Sequence, residues 1–143
     1  MPARSRREEK KYVRYQKHEP KSTSCVFCDF NNTDDQFIKE TKSFKIVKNR
    51  FAYSYWDNQG VLDHLMLIPK RHVDTFNDFT SQEAIEFVDI LGSYESQGYD
   101  NASRAPLSTE RTVVHQHTHL IKLDRKAKKL VLYLKKPLIR ILS

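Results

Sequence analysis

The chain has 143 residues, a length typical of one domain. It carries 25 Lys and Arg against 18 Asp and Glu, and its 38% of hydrophobic residues supply enough apolar material for a core. No apolar run approaches the ~18–20 residues that a membrane span needs, and the N-terminus lacks the apolar stretch of a secretory signal. Three glycines are too few for a Gly-rich phosphate loop. We therefore expect a soluble, cytoplasmic protein without a Rossmann or P-loop nucleotide site.

The positive charge is concentrated at the two ends. Residues 1–24 carry eight Lys and Arg against three Glu, and residues 122–143 carry eight against one Asp. Such ends favour polyanions such as nucleic acid, although solubility and nonspecific attraction explain them equally well. We expect a basic, mostly disordered tail or a frayed helix over 1–24, a folded domain over 25–123, and a basic extension over 124–143 that could contain strands.

Short apolar segments predict the strands. Residues 43–48 and 51–56 have the character of two strands around a turn at 48–50, and His64–Ile68 forms a buried strand ended by Pro69. After the helix, residues 99–112 predict a strand start followed by a loop. Further strands are predicted at 113–122, 130–134 and 138–142.

The strongest helix signal is the sequence Thr80-Ser81-Gln82-Glu83, a capping box in which the Thr hydroxyl and the Glu carboxylate each accept a backbone N–H. Apolar residues keep helical spacing after it, to about Ser96. The resulting order β-β-β-α-β-β predicts an α+β fold, with an antiparallel sheet of about five strands and one main helix packed on it.

Three histidines share the segment 113–122. His115, His117 and His119 are spaced at i, i+2 and i+4, which on a strand places all three rings on one face, about 6–7 Å apart. Such a cluster indicates a functional site, and two chemistries compete. The three rings could bind a catalytic metal with an open fourth position, or one ring could be a nucleophile towards phosphorus.

Cys25 and Cys28 form a Cys-x-x-Cys pair. In an intracellular chain this pair indicates zinc or redox chemistry before a disulfide. A thioredoxin-like site needs a βαβ context, which does not surround the pair. A zinc site would need two more ligands, and free thiols are the alternative.

The chain resembles the histidine triad (HIT) family of nucleotide hydrolases and transferases. The family motif His-x-His-x-His followed by two apolar residues is matched by His115-Gln116-His117-Thr118-His119-Leu120-Ile121. The family strand Gly-His-apolar-apolar-apolar-Ile-Pro-Lys-Arg-His is matched by 63–72, with Asp63 in place of Gly, and Cys25-Val26-Phe27-Cys28 resembles the start of zinc-carrying bacterial members. The resemblance covers about 25–123 and implies a HIT-like fold, commonly as a homodimer.

The resemblance implies that His117 is the nucleophile. It would attack the α-phosphorus of a nucleoside phosphate, and the nucleotidyl-histidine so formed would be resolved by water or another acceptor. His119 would offset charge on the phosphoryl oxygens and assist the leaving group.

The resemblance also implies the substrate contacts. Thr112 and Arg111 stand where the family binds phosphate, with Arg111 in place of the usual Gln; this Arg could equally face solvent. Asp57 or Asn58 would contact the ribose, although a count without gaps from the next motif gives Trp56. The usual Asn- and Gly-containing loop before the triad is replaced by the glycine-free segment 101–110, which includes Arg104, so the leaving group stays open.

For the metal, the resemblance implies a structural zinc held by Cys25, Cys28, His64 and His115, a closed tetrahedral set. His72 is expected to be a surface or packing residue. Two alternatives to the nucleotide enzyme remain: a metal-dependent hydrolase with three histidine ligands, and a nucleotide- or nucleic-acid-binding module that uses the basic ends. An enzyme acting on adenylated nucleic-acid ends is intermediate between them.

Overall fold

A computed structural model describes residues 4–18, 24–127, 131–135 and 138–142. The helices are α1 Arg6–His18 and α2 Ser81–Glu95, with a short 3₁₀ helix at Phe76–Asp78. The strands are β1 Phe37–Glu40, β2 Phe44–Lys48, β3 Tyr55–Trp56, β4 Gln59–Pro69, β5 Tyr99–Ser103, β6 Thr118–Ala127, β7 Val131–Lys135 and β8 Leu138–Leu142.

The main sheet has the strand order β1-β2-β4-β6-β5, and β3 pairs with β4 beside this path. Every pairing is antiparallel. The predicted α+β class is confirmed, with six strands in the sheet rather than about five. Strands β7 and β8 pair separately as a two-stranded sheet.

Both faces of the central strands are covered by apolar side chains. Along β4 the residues alternate, so that Leu65 and Leu67 pack on the face covered by α2, whereas Met66 and Ile68 pack on the opposite face with Phe27. Burial on both faces explains why β4 is a continuous apolar run. His119 pairs with Met66 in the register of β4 and β6, which places it on the face away from α2.

The start of α2 forms as the capping box predicts. The Glu83 N–H donates to the Thr80 hydroxyl at 3.3 Å, and the Thr80 N–H donates to Glu83 Oε2 at 2.8 Å. Both bonds satisfy backbone donors that the first helical turn leaves without an internal partner.

At the N-terminus the sequence predicted a mostly disordered tail or a frayed helix. In the structure Arg6–His18 form the helix α1, and the rings of Tyr12 and Tyr15 lie 5.3 and 4.9 Å from the ring of Phe51. This contact supplies the tertiary packing that a short, highly charged helix needs for stability. The division of the chain into three parts stays a prediction.

Two strand predictions also need correction. The segment 51–56 is not the hairpin partner of β2, because only Tyr55–Trp56 is a strand and it pairs with Gln59 and Gly60 of β4. The strand beside β2, β1, was not predicted, since its two apolar and two charged residues follow one another without alternation. Strands β7 and β8 lie close to the predicted 130–134 and 138–142, of which residue 130 lies outside the described residues.

Neither α1 nor α2, the helices within the described ranges, is long and apolar enough to cross a membrane.

Candidate active site and metal centre

The triad is placed differently from the prediction of three rings on one strand face. Strand β6 begins at Thr118, so that His115 and His117 lie on a bend before it and only His119 lies in the strand. The backbone leaves the sheet here because the Gln116 N–H donates to the Val73 carbonyl oxygen at 2.7 Å. As a result the three rings face two different sites.

The ring of His117 has a nitrogen that is free for chemistry. Its Nδ1 lies 2.9 Å from the carbonyl oxygen of His115. Since a carbonyl oxygen only accepts, Nδ1 carries the hydrogen and Nε2 keeps its lone pair. Burial, with smaller contributions from Arg111 and Arg104, lowers the pKa of His117, which favours the neutral ring that a nucleophile requires.

His119 is oriented by a chain of hydrogen bonds that begins at the backbone. The Tyr53 N–H donates to His64 Nδ1 at 3.1 Å, so the hydrogen of a neutral His64 lies on Nε2. That Nε2 lies 2.9 Å from His119 Nδ1 and donates to it, which leaves the hydrogen of His119 on Nε2. Burial, the largest cause, lowers the pKa of His64 to about 3 and that of His119 to about 2. Both rings are neutral at pH 7, and His119 offers an N–H donor.

His117 and His119 line a cleft of about 680 Å³ on the face of the sheet opposite α2. Its walls are rich in aromatic rings and come from α1, the 24–36 segment, the turn after β2 and the loop before the triad. Among its lining residues are Tyr12, Tyr15, Phe27, Phe30, Phe51 and Tyr53, and the polar side chains Arg4, Arg104 and Thr112. A pocket with these dimensions and a few convergent polar groups is typical of a small-molecule site.

Two of the three predicted substrate contacts do not line this cleft. Thr112 does, as an exposed side chain. Arg111 instead donates hydrogen bonds to the carbonyl oxygens of Val113 at 3.1 Å, Asp74 at 2.7 Å and Val114, so it holds the loop that carries the triad.

Asp57 lies in the two-residue turn between β3 and β4, where it is exposed and has a φ of 46°. Asn58 beside it has a φ of 59°, and two positive φ values in succession are typical of a type I′ hairpin turn. The aspartate therefore suits the turn, and the prediction that it contacts a ribose in the cleft is not supported by its position.

A second cluster lies beside the triad. The ligand atoms of Cys25, Cys28, His72 and His115 all lie within 4.8 Å of one another. Nδ1 of His115 is 3.4 Å from the sulfur of Cys25 and 3.5 Å from that of Cys28, and Nδ1 of His72 is 3.3 Å from the sulfur of Cys28. The two cysteines form no disulfide.

The two histidines of this cluster present lone pairs to it. Nε2 of His115 donates to the carbonyl oxygen of Pro69 at 3.0 Å, and Nε2 of His72 lies 3.4 Å from a carboxylate oxygen of Asp74. Outer acceptors of this kind fix the tautomer of a metal-ligating imidazole. The residues therefore fit a four-coordinate metal ion with two sulfur and two nitrogen ligands.

No family model matches the sequence. The chain is 24% identical over 116 residues to an uncharacterized 16.1 kDa HIT-like protein of Mycoplasma pneumoniae, which covers 74% of this chain and 76% of that protein. It is 25% identical over 112 residues to the adenosine 5'-monophosphoramidase HNT1 of Candida albicans, and this match covers 68% of this chain and 69% of that protein.

Solved structures of histidine triad proteins share the fold. A HIT family hydrolase from Clostridium thermocellum matches with a TM-score of 0.53 and 21% identity, over 76% of this chain and 99% of that chain. A hypothetical histidine triad nucleotide-binding protein from Sulfolobus tokodaii also matches with a TM-score of 0.53 and 18% identity, and the match covers 68% of this chain and 68% of that chain. The chain has the fold of the histidine triad proteins, and its sequence is similar to proteins of that family.

The structure does not bring His64, a predicted metal ligand, into the Cys/His cluster. His64 lies in β4 against His119, and His72, which was expected to be a surface or packing residue, is the fourth member of the cluster. The position of His115 gives the reason. Its Nε2 donates to the carbonyl oxygen of Pro69 at the end of β4, three residues before His72, whereas His64 pairs with Ile121 of β6 earlier in that strand.

The metal-dependent hydrolase with three histidine ligands is also not supported. Within the described ranges, the group able to hold a metal includes His115 but neither His117 nor His119. The three histidines are therefore divided between two sites: His115 belongs to the Cys/His cluster, and His117 and His119 line the cleft.

Proposed function

We propose that this protein is a nucleotide hydrolase or nucleotidyl transferase in which Nε2 of His117 attacks the α-phosphorus of a nucleoside phosphate. The observation that carries the proposal is the 2.9 Å hydrogen bond from His117 Nδ1 to the His115 carbonyl, which leaves Nε2 unprotonated on a ring that lines the cleft. The similarity to a yeast protein described as an adenosine 5'-monophosphoramidase supports the substrate class.

The reaction has two displacements at the same phosphorus. Nε2 of His117 forms a bond to the α-phosphorus while the bond to the leaving group breaks, which gives a nucleotidyl-histidine. Water or another acceptor then attacks the phosphorus, and the bond to His117 breaks. The N–H of His119 and the hydroxyl of Thr112 donate to the phosphoryl oxygens, where negative charge grows in each transition state.

We further propose that the Cys/His cluster binds a structural zinc ion through Cys25, Cys28, His72 and His115. With four protein ligands, such an ion supplies structural rather than Lewis-acid chemistry, because it keeps no open position. The cluster would fix the backbone at His115, whose carbonyl oxygen orients His117 two residues later. Metal binding at the cluster and nucleophilic attack by His117 would thus be coupled through the backbone carbonyl group of His115.

The test is the His117→Ala variant, with His18→Ala at the exposed end of α1 as its control. Turnover of nucleoside phosphoramidates and dinucleoside polyphosphates should be abolished in His117→Ala, while bound zinc, measured by plasma mass spectrometry, stays at one ion per chain. Loss of the metal together with turnover would favour the three-histidine metal hydrolase. Undiminished turnover in His117→Ala would refute the proposal.

A polymeric substrate is the second candidate, because the basic residues of α1 are exposed next to the cleft. They are Arg6, Arg7, Lys10, Lys11, Arg14 and Lys17. If they bind nucleic acid, turnover of an adenylated nucleic-acid end should fall steeply with salt and in a variant with Lys10, Arg14 and Lys17 changed to Gln, whereas turnover of a mononucleotide substrate should not. Equal salt dependence for both substrates would exclude this role.

The homodimer that the family resemblance implies and the cytoplasmic location that the sequence suggests both stay predictions. Light scattering coupled to size-exclusion chromatography measures the first directly, and a mass of one chain would contradict it.

A further inference from the structure

We propose that Arg4 and Arg104 form a second anion site in the cleft, which binds a phosphate group beyond the one that His117 attacks. This inference rests on the proposed function and narrows its substrate class. The preferred substrates would be nucleoside compounds with a chain of two or more phosphates, dinucleoside polyphosphates included, rather than phosphoramidates with an uncharged leaving group.

The two arginines converge on one residue of the cleft, Tyr53. The guanidinium carbon of Arg4 lies 5.1 Å from the centroid of the Tyr53 ring, and Nη2 of Arg104 lies 3.5 Å from the Tyr53 hydroxyl oxygen. The Tyr53 ring is itself 5.7 Å from the ring of His119. All four side chains line the same cleft, so the two cations lie on the His119 side of it.

The two arginines come from parts of the chain far apart in sequence. Arg4 precedes α1 and is held in place by a hydrogen bond from its Nε to the Phe51 carbonyl oxygen at 3.0 Å. Arg104 follows β5 in the glycine-free loop that departs from the family pattern. The N-terminal segment therefore completes the cleft with a charge that the family motifs do not supply.

The positive charge at this place is only partly compensated. Glu9 Oε2 lies 3.7 Å from Arg4 Nη1, and no carboxylate lies within ion-pair distance of Arg104 in the part of the chain that the structure describes. Of the other acids that line the cleft, Asp29 accepts from the Ser24 hydroxyl at 2.6 Å, Asp34 accepts from the Asn31 N–H at 2.8 Å, and Glu110 is exposed.

The chemistry of the pair suits a further phosphate. Guanidinium groups donate in a planar fork that matches phosphate oxygens, and two of them match a polyanion better than a single phosphoryl group. The attacked phosphate already has His117, His119 and Thr112 in the proposed mechanism. An amine leaving group would offer nothing for these cations to bind.

The experiment compares kcat/KM for diadenosine tetraphosphate and for adenosine 5'-phosphoramidate in the full-length wild type, Arg4→Gln and Arg104→Gln. Arg125→Gln is the matched control, since Arg125 is exposed, pairs with Asp100 at 3.3 Å and does not line the cleft. We expect the ratio of the two kcat/KM values to fall about tenfold or more in each test variant and to stay within about twofold in the control.

Each outcome decides one question. A ratio unchanged in both Arg4→Gln and Arg104→Gln overturns the second anion site, even if both variants turn over more slowly. A wild type that transfers a nucleotidyl group from neither substrate overturns the proposed function instead. Because the readout is the ratio of two kcat/KM values within one variant, a loss of folded protein affects both values equally and cancels. Arg104→Lys keeps the positive charge but lacks the planar guanidinium group, so it should give an intermediate ratio.

Discussion

Arg71 donates two hydrogen bonds to Glu83, from Nε to Oε1 at 3.2 Å and from Nη2 to Oε2 at 2.7 Å. Glu83 Oε2 also accepts the Thr80 N–H, so one buried carboxylate ties the end of β4 to the first turn of α2. His72 follows Arg71 directly. The capping box that was visible in the sequence therefore also helps to place a residue of the Cys/His cluster.

The first prediction concerns the pH dependence of stability. The hydrogen bond from Arg71 is the largest cause that lowers the pKa of Glu83, from an ordinary value of 4.5 to about 2. A group whose pKa is lowered on folding stabilises the protein above its unfolded pKa, and this contribution is lost as the pH falls from about 4.5 to about 2. In urea unfolding, Glu83→Gln should be less stable than wild type at pH 7, and the difference should shrink below pH 4.5. A constant difference between pH 7 and pH 3 would contradict it.

The second prediction concerns His64 and His72. The sequence predicts His64 as a metal ligand, whereas the structure has His72 in the Cys/His cluster. His72→Ala should lower zinc affinity at least tenfold, because it removes one of four ligands. His64→Gln should keep one zinc ion per folded chain while turnover falls, since His64 contacts His119 instead. Metal content and competition with a chelator measure both. Zinc loss in His64→Gln with retention in His72→Ala would restore the sequence-based ligand set.

The third prediction concerns Arg111. Since its guanidinium donates to three backbone carbonyl oxygens, Arg111→Ala should lower the free energy of unfolding by about 2 kcal/mol. Chemical denaturation measures this change. A raised KM with stability unchanged would instead indicate the phosphate contact that the sequence suggested.

The fourth prediction concerns Thr112, an exposed residue of the cleft. Thr112→Val removes a hydroxyl donor at nearly constant shape, so kcat/KM should fall about tenfold or more while stability changes by less than about 0.5 kcal/mol. Thr109→Val, at another exposed residue of the cleft, is the control. Equal losses in the two variants would argue against a specific phosphate contact by Thr112.

The features that the sequence predicted well are set by neighbouring residues. The Thr80–Glu83 capping box and the apolar run of β4 ended by Pro69 each depend on a few consecutive side chains. The triad spacing likewise predicted a local cluster of imidazole rings, and the ring centroids of His117 and His119 lie 5.2 Å apart.

The features that the sequence missed depend on contacts between distant segments. Which histidine joins His115 follows from the hydrogen bond between His115 and Pro69 at the end of β4, and α1 is stabilised by its contact with Phe51. The bend at His115 arises from the bond between Gln116 and Val73 rather than from local propensity. His72 follows Pro69 by three residues, beyond the end of β4. Only the tertiary structure shows that this position lies beside His115.

The central claim is that His117 becomes covalently attached to phosphorus, and the most direct test is to trap and locate that bond. The wild type should be mixed with an adenosine 5'-phosphoramidate, quenched in cold alkaline denaturant to preserve a phosphorus–nitrogen bond, digested, and analysed by fragmentation mass spectrometry. One adenylyl group on His117 is expected. An adenylyl group on His119 or His115, or active turnover with no labelled peptide at any quench time, would contradict it.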